Sequence, residues 1–462
     1  MLFNSLKFLY LFLPVAYFVF WRLRTKTQRY LWLTATGYVF YSFWNYKFCA
    51  LMVLSTAVSY LAGLGFLRWG DARRRRLCLV LPITFDLALL GFFKYTNFTL
   101  GTFNSLSEAL GWGLHAPSLD IVLPIGISFY TFHTLTYIVD GYRGAIVPTR
   151  NFFEFSAYVS LFSQLVAGPI VRFREIEKDL EHIDRADRAA ALERGWSFLV
   201  IGMAKKVLIA DSIAALINPG FENPGALSTA GAWMCALGYS YQLYFDFSGY
   251  SDMAVGLGHL FGLRLPQNFN SPYRALDIAD FWRRWHISLS SVLRDYLYFP
   301  LGGSRGSAWF TARNLMITML LGGLWHGASW TFVFWGGYHG ALLVAYRAGG
   351  RGWDRLPPAL RQCATFLLVV IGWVFFRAES FAAAATILRA MGSWHAGPLP
   401  VGWPLLATLM LIAGAMSHGG PNSFELRHAW RPVPALAFAT LFLVCMFAIY
   451  GGHQSPFLYF QF

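Results

Sequence analysis

One histidine stands in an apolar stretch of the sequence where a titratable side chain is unusual. His326 lies in "GGLWHGASW" (Gly322–Trp330), and no carboxylate occurs within eight residues on either side of it. An apolar environment keeps an imidazole neutral and able to accept a proton, which a general base for an alcohol nucleophile requires. The glycines beside it allow close helix packing and close approach of a ligand. A histidine that only hydrogen-bonds across a helix interface fits these residues equally well.

Two further histidines lie near the same region of the sequence. His286 occurs in "FWRRWHISLS" beside Arg283 and Arg284, a pattern that is also typical of an interfacial aromatic belt with basic anchors. His339 follows His326 by thirteen residues. That separation is about 20 Å on one straight helix, which favours a structural role unless the glycine-rich segment folds back. For the other histidines we expect packing roles (His133, His259) or solvated positions (His115, His182, His395, His418, His428, His453).

Several familiar catalytic and metal-binding patterns are missing from the sequence. It contains no HExxH, no paired histidines at metal spacing with carboxylates, no Gly-x-Ser-x-Gly and no phosphate-binding P-loop. These absences argue against a metal hydrolase, a serine hydrolase and an ATP-driven pump, and we expect no bound metal. The cysteines are scattered without a CxxC pair, and they indicate neither a metal site nor a disulfide framework: Cys49, Cys78, Cys235, Cys363, Cys445.

The composition indicates a polytopic membrane protein. Hydrophobic residues make up 56% of the 462 residues and charged residues only 13%, against roughly 25% charged in soluble domains. Apolar runs close to the ~20 residues that cross a bilayer recur along the chain. The first run lacks the features of a cleaved signal, and we expect it to be retained. The clearest runs are Leu2–Trp21, Leu51–Leu67, Leu77–Phe93, Ile121–Val139, Trp196–Ile217 and Ala435–Tyr450.

The net charge of +14 has an explanation in membrane topology. Basic residues cluster in short connections, most clearly at Arg22–Arg29 and Arg68–Arg76, as expected of cytoplasmic loops. Two predicted spans, Tyr30–Trp44 and Phe48–Leu67, fit between these clusters around a tight turn at Asn45, which places the N-terminus outside. No basic domain studded with aromatic residues stands apart from the spans, and we therefore expect no nucleic-acid binding.

We expect a single all-α domain over residues 1–462, with about eleven to thirteen spans plus interfacial and re-entrant helices. No repeat or low-complexity linker divides the chain. Val171–Gly195 is charged with apolar residues at helical spacing, which predicts a helix along the cytoplasmic face. Before it, Gly168-Pro169 would break a helix, consistent with a re-entrant segment. Gly249–Arg313 is the least membrane-like region and suits short interfacial helices.

Long segments of the chain resemble the membrane-bound O-acyltransferases. The similarity is greatest to the bacterial branch that includes the membrane subunit of alginate O-acetylation and the D-alanyl transferase of teichoic acids. It covers most of residues 163–340. The matching segments are "SQLVAGPIVRFRE" (Ser163–Glu175), "YQLYFDFSGYSDMAVGLGHLFG" (Tyr241–Gly262), "LPQNFNSPYRALDIADFWRRWHISLSSVLRDYLYFPLGG" (Leu265–Gly303), "LGGLWHGASWTFVFWGGYHG" (Leu321–Gly340) and the terminal "PFLYFQF" (Pro456–Phe462).

The resemblance implies roles for particular residues. The histidine of the family's "LWHG" segment corresponds to His326, which would be catalytic. The second signature position, a histidine in this branch, corresponds to His286, which would help to place the donor carbonyl. The family fold, a ring of helices around a thinned centre, would form a tunnel between the membrane faces. Residues expected to bind the donor are Arg283, Arg284, Arg294, Trp325 and His339.

The resemblance also implies an activity. We expect an acyltransferase of the bacterial inner membrane that takes an acetyl group from a cytoplasmic thioester and passes it outward to an exopolysaccharide of the alginate type. Acetyl-coenzyme A would be the donor substrate, with no permanently bound cofactor. Periplasmic acetyltransferases are the expected partners beside the lipid bilayer, and the aromatic tail would be either a docking element or an interfacial anchor.

Two alternatives remain open from the sequence. A D-alanyl transferase would receive its acyl group from a small acidic carrier protein, and a basic cytoplasmic surface suits both donors. A polysaccharide or lipid transporter would also need polar groups in a tunnel. It predicts inverted repeats with broken helices at matched places in two halves. The sequence instead has one concentrated signature region, which favours an enzyme.

Overall fold

The regular elements of the protein are helices throughout the part of the chain that the structure describes. A computed structural model describes residues 1–166, 168–452 and 457–458. The N-terminal half contains α1 (Leu13–Arg22), α2 (Lys26–Asn45), α3 (Cys49–Arg68), α4 (Ala72–Leu90), α5 (Thr96–Ala109), α6 (Ile127–Arg143), α7 (Phe152–Val159), α8 (Phe173–Glu181), α9 (Arg188–Met203) and α10 (Asp211–Glu222).

The second half begins with the longest helix. Its elements are α11 (Thr229–Leu260), α12 (Ile278–Arg284), α13 (Ile287–Leu293), α14 (Ala308–His326), α15 (Trp330–Trp353), α16 (Pro358–Arg377), α17 (Phe381–Gly392), α18 (Trp403–His418) and α19 (Pro432–Tyr450). Several helices continue into π-helical turns, at Phe8–Phe12, Gly91–Tyr95, Ala204–Ala210 and Arg294–Tyr298.

Contacts group the chain into two compact units. The first unit comprises Met1–Ala191 and Gly258–Leu265, and the second comprises Leu192–Leu257 and Pro266–Phe462. Helices α9 and α11 each pass from one unit to the other. The expectation of a single domain over residues 1–462 stays a prediction.

Four helical stretches are long and apolar enough to cross a membrane: Lys26–Arg68, Ala72–Ala109, Pro358–Arg377 and Pro432–Tyr450. The all-α membrane architecture is thereby confirmed, while the count of eleven to thirteen crossings stays a prediction. Other apolar helices among the described residues, such as Phe8–Arg22 and Trp403–His418, are shorter than these four. The predicted span at Ile121–Val139 becomes helical only at Ile127.

Two local predictions in the first unit are confirmed and a third is confirmed in part. The turn at Asn45 ends α2, and its side chain accepts a hydrogen bond from the backbone N–H of Lys47 at 3.0 Å. The helix predicted over Val171–Gly195 is divided between α8 and α9, of which α8 is amphipathic, and its place on the cytoplasmic face stays a prediction. The chain leaves helical geometry before Gly168-Pro169 and resumes it at α8. Whether this segment re-enters the membrane stays a prediction.

Polar side chains set where the helices around the candidate site begin. The Asp277 carboxylate accepts from the N–H of Asp280 at 2.7 Å and starts α12. The Ser307 hydroxyl accepts from the N–H of Phe310 at 3.2 Å and starts α14, and the Ser329 hydroxyl does the same for α15. Such caps satisfy N–H groups that lack a partner within the helix. They fix where each helix presents its functional side chains.

Candidate active site

A tight hairpin of α14 and α15 carries the histidine that the sequence singled out. The two helices cross at glycines, because a Cβ at Gly323 would overlap the carbonyl oxygen of Phe332. A Cβ at Gly336 would likewise overlap the carbonyl oxygen of Met319. Only glycine permits this backbone approach. The helix ends at His326, and the chain reverses within three residues before α15 begins.

The reversal brings His326 and His339 to the same indole ring. The ring centroid of Trp335 lies 5.2 Å from that of His326 and 4.9 Å from that of His339. The two histidines do not lie on one straight helix, because the chain folds back at Gly327–Ser329, the alternative that the sequence left open. His339 is fully buried among aromatic rings and is absent from the residues that line the cavity beside His326. Its part in donor binding stays a prediction.

His286 occupies the sharp turn between α12 and α13. Its backbone has φ 44° and ψ 54°, the left-handed conformation, and Ser271 is the other described non-glycine residue with positive φ. This conformation costs roughly 1–2 kcal/mol for an L-residue and persists only where the surroundings enforce it. The His286 ring is fully buried, and its centroid lies 6.4 Å from that of His326. Two histidines forty residues apart in the sequence thus become neighbours.

A buried asparagine anchors this turn. The Oδ1 atom of Asn268 lies 3.1 Å from Nδ1 of His286 and accepts from both the N–H (3.2 Å) and the hydroxyl (2.8 Å) of Ser288. His286 lies outside the candidate spans, and burial lowers its pKa to about 3. The ring is therefore neutral at physiological pH. Sequence reasoning missed Asn268, which carries no spacing signal within "LPQNFNSPYR".

A cavity of about 200 Å³ lies against His326. Its wall is mainly apolar. Arg294 lines the same cavity, and because its side chain is 58% exposed, the cavity reaches the protein surface. His326 itself is buried and forms part of the cavity wall. Other lining residues are Trp282, Leu289, Leu293, Tyr298, Met319, Gly322 and Trp335.

The three arginines proposed to attract the donor are separated by the structure. Arg294 lines the cavity and pairs with Asp295 at 2.7 Å. Arg283 and Arg284 instead pair with Asp280, at 3.6 Å and 2.9 Å, and do not line this cavity. Exposed pairs of this kind contribute little to stability, so each guanidinium can exchange its partner for a phosphate. Of these three arginines, only Arg294 lines the cavity.

Trp325 packs directly beside both histidines. Its ring centroid lies 5.0 Å from that of His326 and 6.1 Å from that of His286. It is nearly buried and does not line the cavity. In this position the indole fixes the two imidazoles in place by packing, and its role in binding the donor stays a prediction.

The described part of the aromatic tail is buried. Phe457 and Leu458 are 0% and 4% exposed. The Phe457 ring stacks on Tyr250 at 4.3 Å and lies 6.0 Å from Phe247, which packs against His286 at 4.6 Å. Phe457 thereby contributes to the aromatic packing around His286, and whether the tail docks a partner or anchors at the membrane interface stays a prediction. The rest of "PFLYFQF" and His453 lie outside the described residues.

The chain is similar in sequence to known membrane acyltransferases. The family model of MBOAT, the membrane-bound O-acyltransferases, matches residues 112–382. The chain is 45% identical over 409 residues to "Probable alginate O-acetylase AlgI" of Pseudomonas aeruginosa, covering 86% of this chain and 77% of the relative. It is 39% identical over 428 residues to "Peptidoglycan O-acetyltransferase" of Helicobacter pylori, covering 85% and 80%. It is 28% identical over 289 residues to "Teichoic acid D-alanyltransferase" of Bacillus subtilis, covering 58% and 72%.

A helical membrane protein with two neighbouring histidines, of which His326 lines an apolar cavity, fits the class of membrane acyltransferases. The chain belongs to the membrane-bound O-acyltransferase family and is an acyltransferase of the membrane. The roles of His286 and His326 within that activity stay predictions. In the described part of the chain, no three His, Cys, Asp or Glu side chains form a group that could hold a metal ion.

Proposed function

We propose that the protein is an O-acetyltransferase of the bacterial inner membrane. It takes an acetyl group from acetyl-coenzyme A in the cytoplasm and passes it outward for O-acetylation of an extracytoplasmic polysaccharide of the alginate type. The observation that carries the proposal is a cavity lined by both His326 and Arg294, with the ring of His286 beside that of His326. The names of the relatives from Pseudomonas aeruginosa and Helicobacter pylori support the acetyl group and a carbohydrate polymer.

The chemistry needs orientation and a base, because a thioester is already activated. The donor phosphates lie near Arg294, and the thioester end enters the apolar cavity. His326 takes the proton from the acceptor hydroxyl while its oxygen attacks the thioester carbonyl. The carbon–sulfur bond then breaks, and the proton passes to the leaving thiolate, which departs as a thiol. His286 orients the reactants beside it.

The decisive experiment is acetyl transfer by the purified protein in liposomes. Labelled acetyl-coenzyme A is supplied on one side and polysaccharide with the periplasmic acetyltransferases on the other. We expect His326→Ala to lower label transfer by about 10²–10⁴-fold, the range for loss of a general base. The exposed His115 serves as the control, and His115→Ala should transfer at the wild-type rate. Full transfer by His326→Ala contradicts the proposal.

A D-alanyl transferase is the second candidate, favoured by the similarity to the relative from Bacillus subtilis. Its donor is an acylated carrier protein, which also presents a thioester to the cavity. The same liposomes loaded with D-alanyl carrier protein separate the two candidates. Transfer from the carrier, with none from acetyl-coenzyme A, reverses the choice of donor and leaves the role of His326 intact.

A further inference from the structure

His286 keeps a bulky side chain at a position whose backbone suits glycine. The left-handed conformation disfavours any residue with a Cβ, and glycine adopts it without strain. Glycine occupies most of the other positive-φ positions of the described chain, for example Gly126 and Gly144. A histidine in this conformation indicates that the imidazole itself is needed there.

Asn268 holds that strained turn through both its backbone and its side chain. Its carbonyl oxygen accepts from the N–H of Ile287 at 2.9 Å, immediately after His286. Its Oδ1 atom accepts from the N–H and the hydroxyl of Ser288. At the other end of the amide, Nδ2 donates to the hydroxyl of Ser251 at 3.1 Å. Asn268 and its three partners (Ile287, Ser288 and Ser251) are buried or nearly buried. Their burial keeps water from competing for these hydrogen bonds.

These contacts determine which nitrogen of His286 carries the proton. The backbone N–H of Ser288 can only donate, so the amide atom facing it must be the oxygen of Asn268. An amide oxygen can only accept, so a hydrogen bond with the Nδ1 atom of His286, 3.1 Å away, requires the hydrogen to be on Nδ1. The Ser288 hydroxyl also lies 3.5 Å from Nδ1, but it donates to the same Oδ1 atom of Asn268 at the shorter distance of 2.8 Å. A neutral imidazole has one N–H, and its Nε2 atom is then the lone-pair nitrogen. The titratable side chain next to it is His326.

We infer that Asn268 is a positioning residue that fixes His286 as the Nδ1–H tautomer and so makes Nε2, on the ring beside His326, a hydrogen-bond acceptor for the reactants. This inference rests on the proposed function. It is an alternative to the expectation that His286 places the donor carbonyl, because a carbonyl oxygen requires a hydrogen-bond donor. His286 instead holds an O–H or N–H of the substrates, either the acceptor hydroxyl or an amide of the donor's pantetheine arm.

Two substitutions of Asn268 distinguish the role of its acceptor oxygen from the role of its side-chain volume. Asn268→Leu removes the acceptor and releases the tautomer, and we expect kcat to fall about 100-fold, within the range for acid–base groups. Asn268→Asp keeps an acceptor for Nδ1, and we expect kcat within about 10-fold of wild type. Because a carboxylate stabilises the imidazolium, this variant raises the pKa of His286 and moves the acid limb of the kcat profile to higher pH. A purely structural asparagine would not produce that shift.

The matched control is Ser251→Ala, which removes the bond at Nδ2 and leaves every contact of Oδ1 in place. We expect its kcat to stay within about 2-fold of wild type, since the tautomer is unchanged. In Asn268→Leu, a rise in KM for acetyl-coenzyme A assigns Nε2 to the donor amide, and a rise in KM for the acceptor assigns it to the hydroxyl. Thermal unfolding of each purified variant monitors the fold.

Three results overturn the inference. The first is a wild-type kcat in Asn268→Leu. The second is an Asn268→Asp variant that unfolds like wild type but is as inactive as Asn268→Leu. The third is an acid limb of the kcat profile of Asn268→Asp that lies at the same pH as in wild type. If Asn268→Leu fails to fold, the acid limb of Asn268→Asp alone decides. Failure of the proposed function is distinct, because His326→Ala would then keep its activity, whereas failure of this inference leaves His326 essential and Asn268 dispensable.

Discussion

His133 and His286 are both fully buried, and the difference between them shows what distinguishes a functional histidine. His133 lies in the middle of α6 in the first unit, with its ring 5.6 Å from that of Tyr158. Neither of its ring nitrogens has a hydrogen-bond partner among the described residues. His286, in the second unit, has an anchored Nδ1, a strained backbone and a second histidine beside it. Burial alone therefore does not identify the site.

Among the variants that test this comparison, those of His286 should have the largest effect, because only there does the fold sustain backbone strain to hold a ring. We expect both His286→Ala and His286→Gly to lower kcat by about 100-fold or more. Both lose the same ring packing, but glycine removes the left-handed strain that alanine keeps. His286→Gly should therefore be more stable than His286→Ala by about 1 kcal/mol. Acetyl transfer and thermal unfolding in detergent measure the two effects.

The proposed difference between His133 and His286 is contradicted if His286→Ala and His286→Gly unfold at the same temperature. In that case the turn relaxes without strain, and the side chain is no longer needed to explain the backbone. The difference is also contradicted if His133→Ala loses as much activity as His286→Ala while it retains the fold.

Insertion of a methyl group at the crossing of α14 and α15 should have the next largest effect. Gly323→Ala forces α14 away from α15 and displaces His326, one turn further on, from the cavity. We expect activity to fall about 100-fold, since small misplacements of reacting groups cost this much. Gly349→Ala on α15 is the control, because a Cβ there meets nothing within 4 Å. Equal activity of the two variants would mean that the hairpin tolerates separation.

Arg294 should affect donor binding rather than the chemical step. We expect Arg294→Gln to raise KM for acetyl-coenzyme A about 10-fold and to weaken the dependence of KM on salt, because one attractive charge is lost. Arg283→Gln is the control, since Arg283 is 66% exposed, pairs with Asp280 and does not line the cavity. A larger effect of Arg283→Gln than of Arg294→Gln would move the donor entrance to α12.

The sequence predicted the membrane class and singled out His326 from residue type, whereas His286 was indicated only by the resemblance to the acyltransferase family. Apolar content marks spans, and an isolated histidine in "GGLWHGASW" marks a candidate base whatever the tertiary structure. It did not predict the convergence on Trp335, because that depends on a three-residue reversal within an apolar run. The role of Asn268 could not be predicted from the sequence either, because it depends on a hydrogen bond to a residue eighteen positions away. The separation of Arg294 from Arg283 likewise requires knowing which side chain faces the cavity.

Substitution of His133 should have the smallest effect on acetyl transfer. It tests whether a buried histidine without hydrogen bonds is dispensable for activity. A buried polar ring without hydrogen bonds destabilises the fold, and an apolar side chain of similar volume removes that cost. We expect His133→Leu to change acetyl transfer less than 2-fold and to leave the free energy of unfolding unchanged or raise it by up to about 1 kcal/mol. The measurement is thermal unfolding alongside transfer. A loss of activity with an intact fold would show that His133 contacts a reactant, and burial without an anchor would then be sufficient for function.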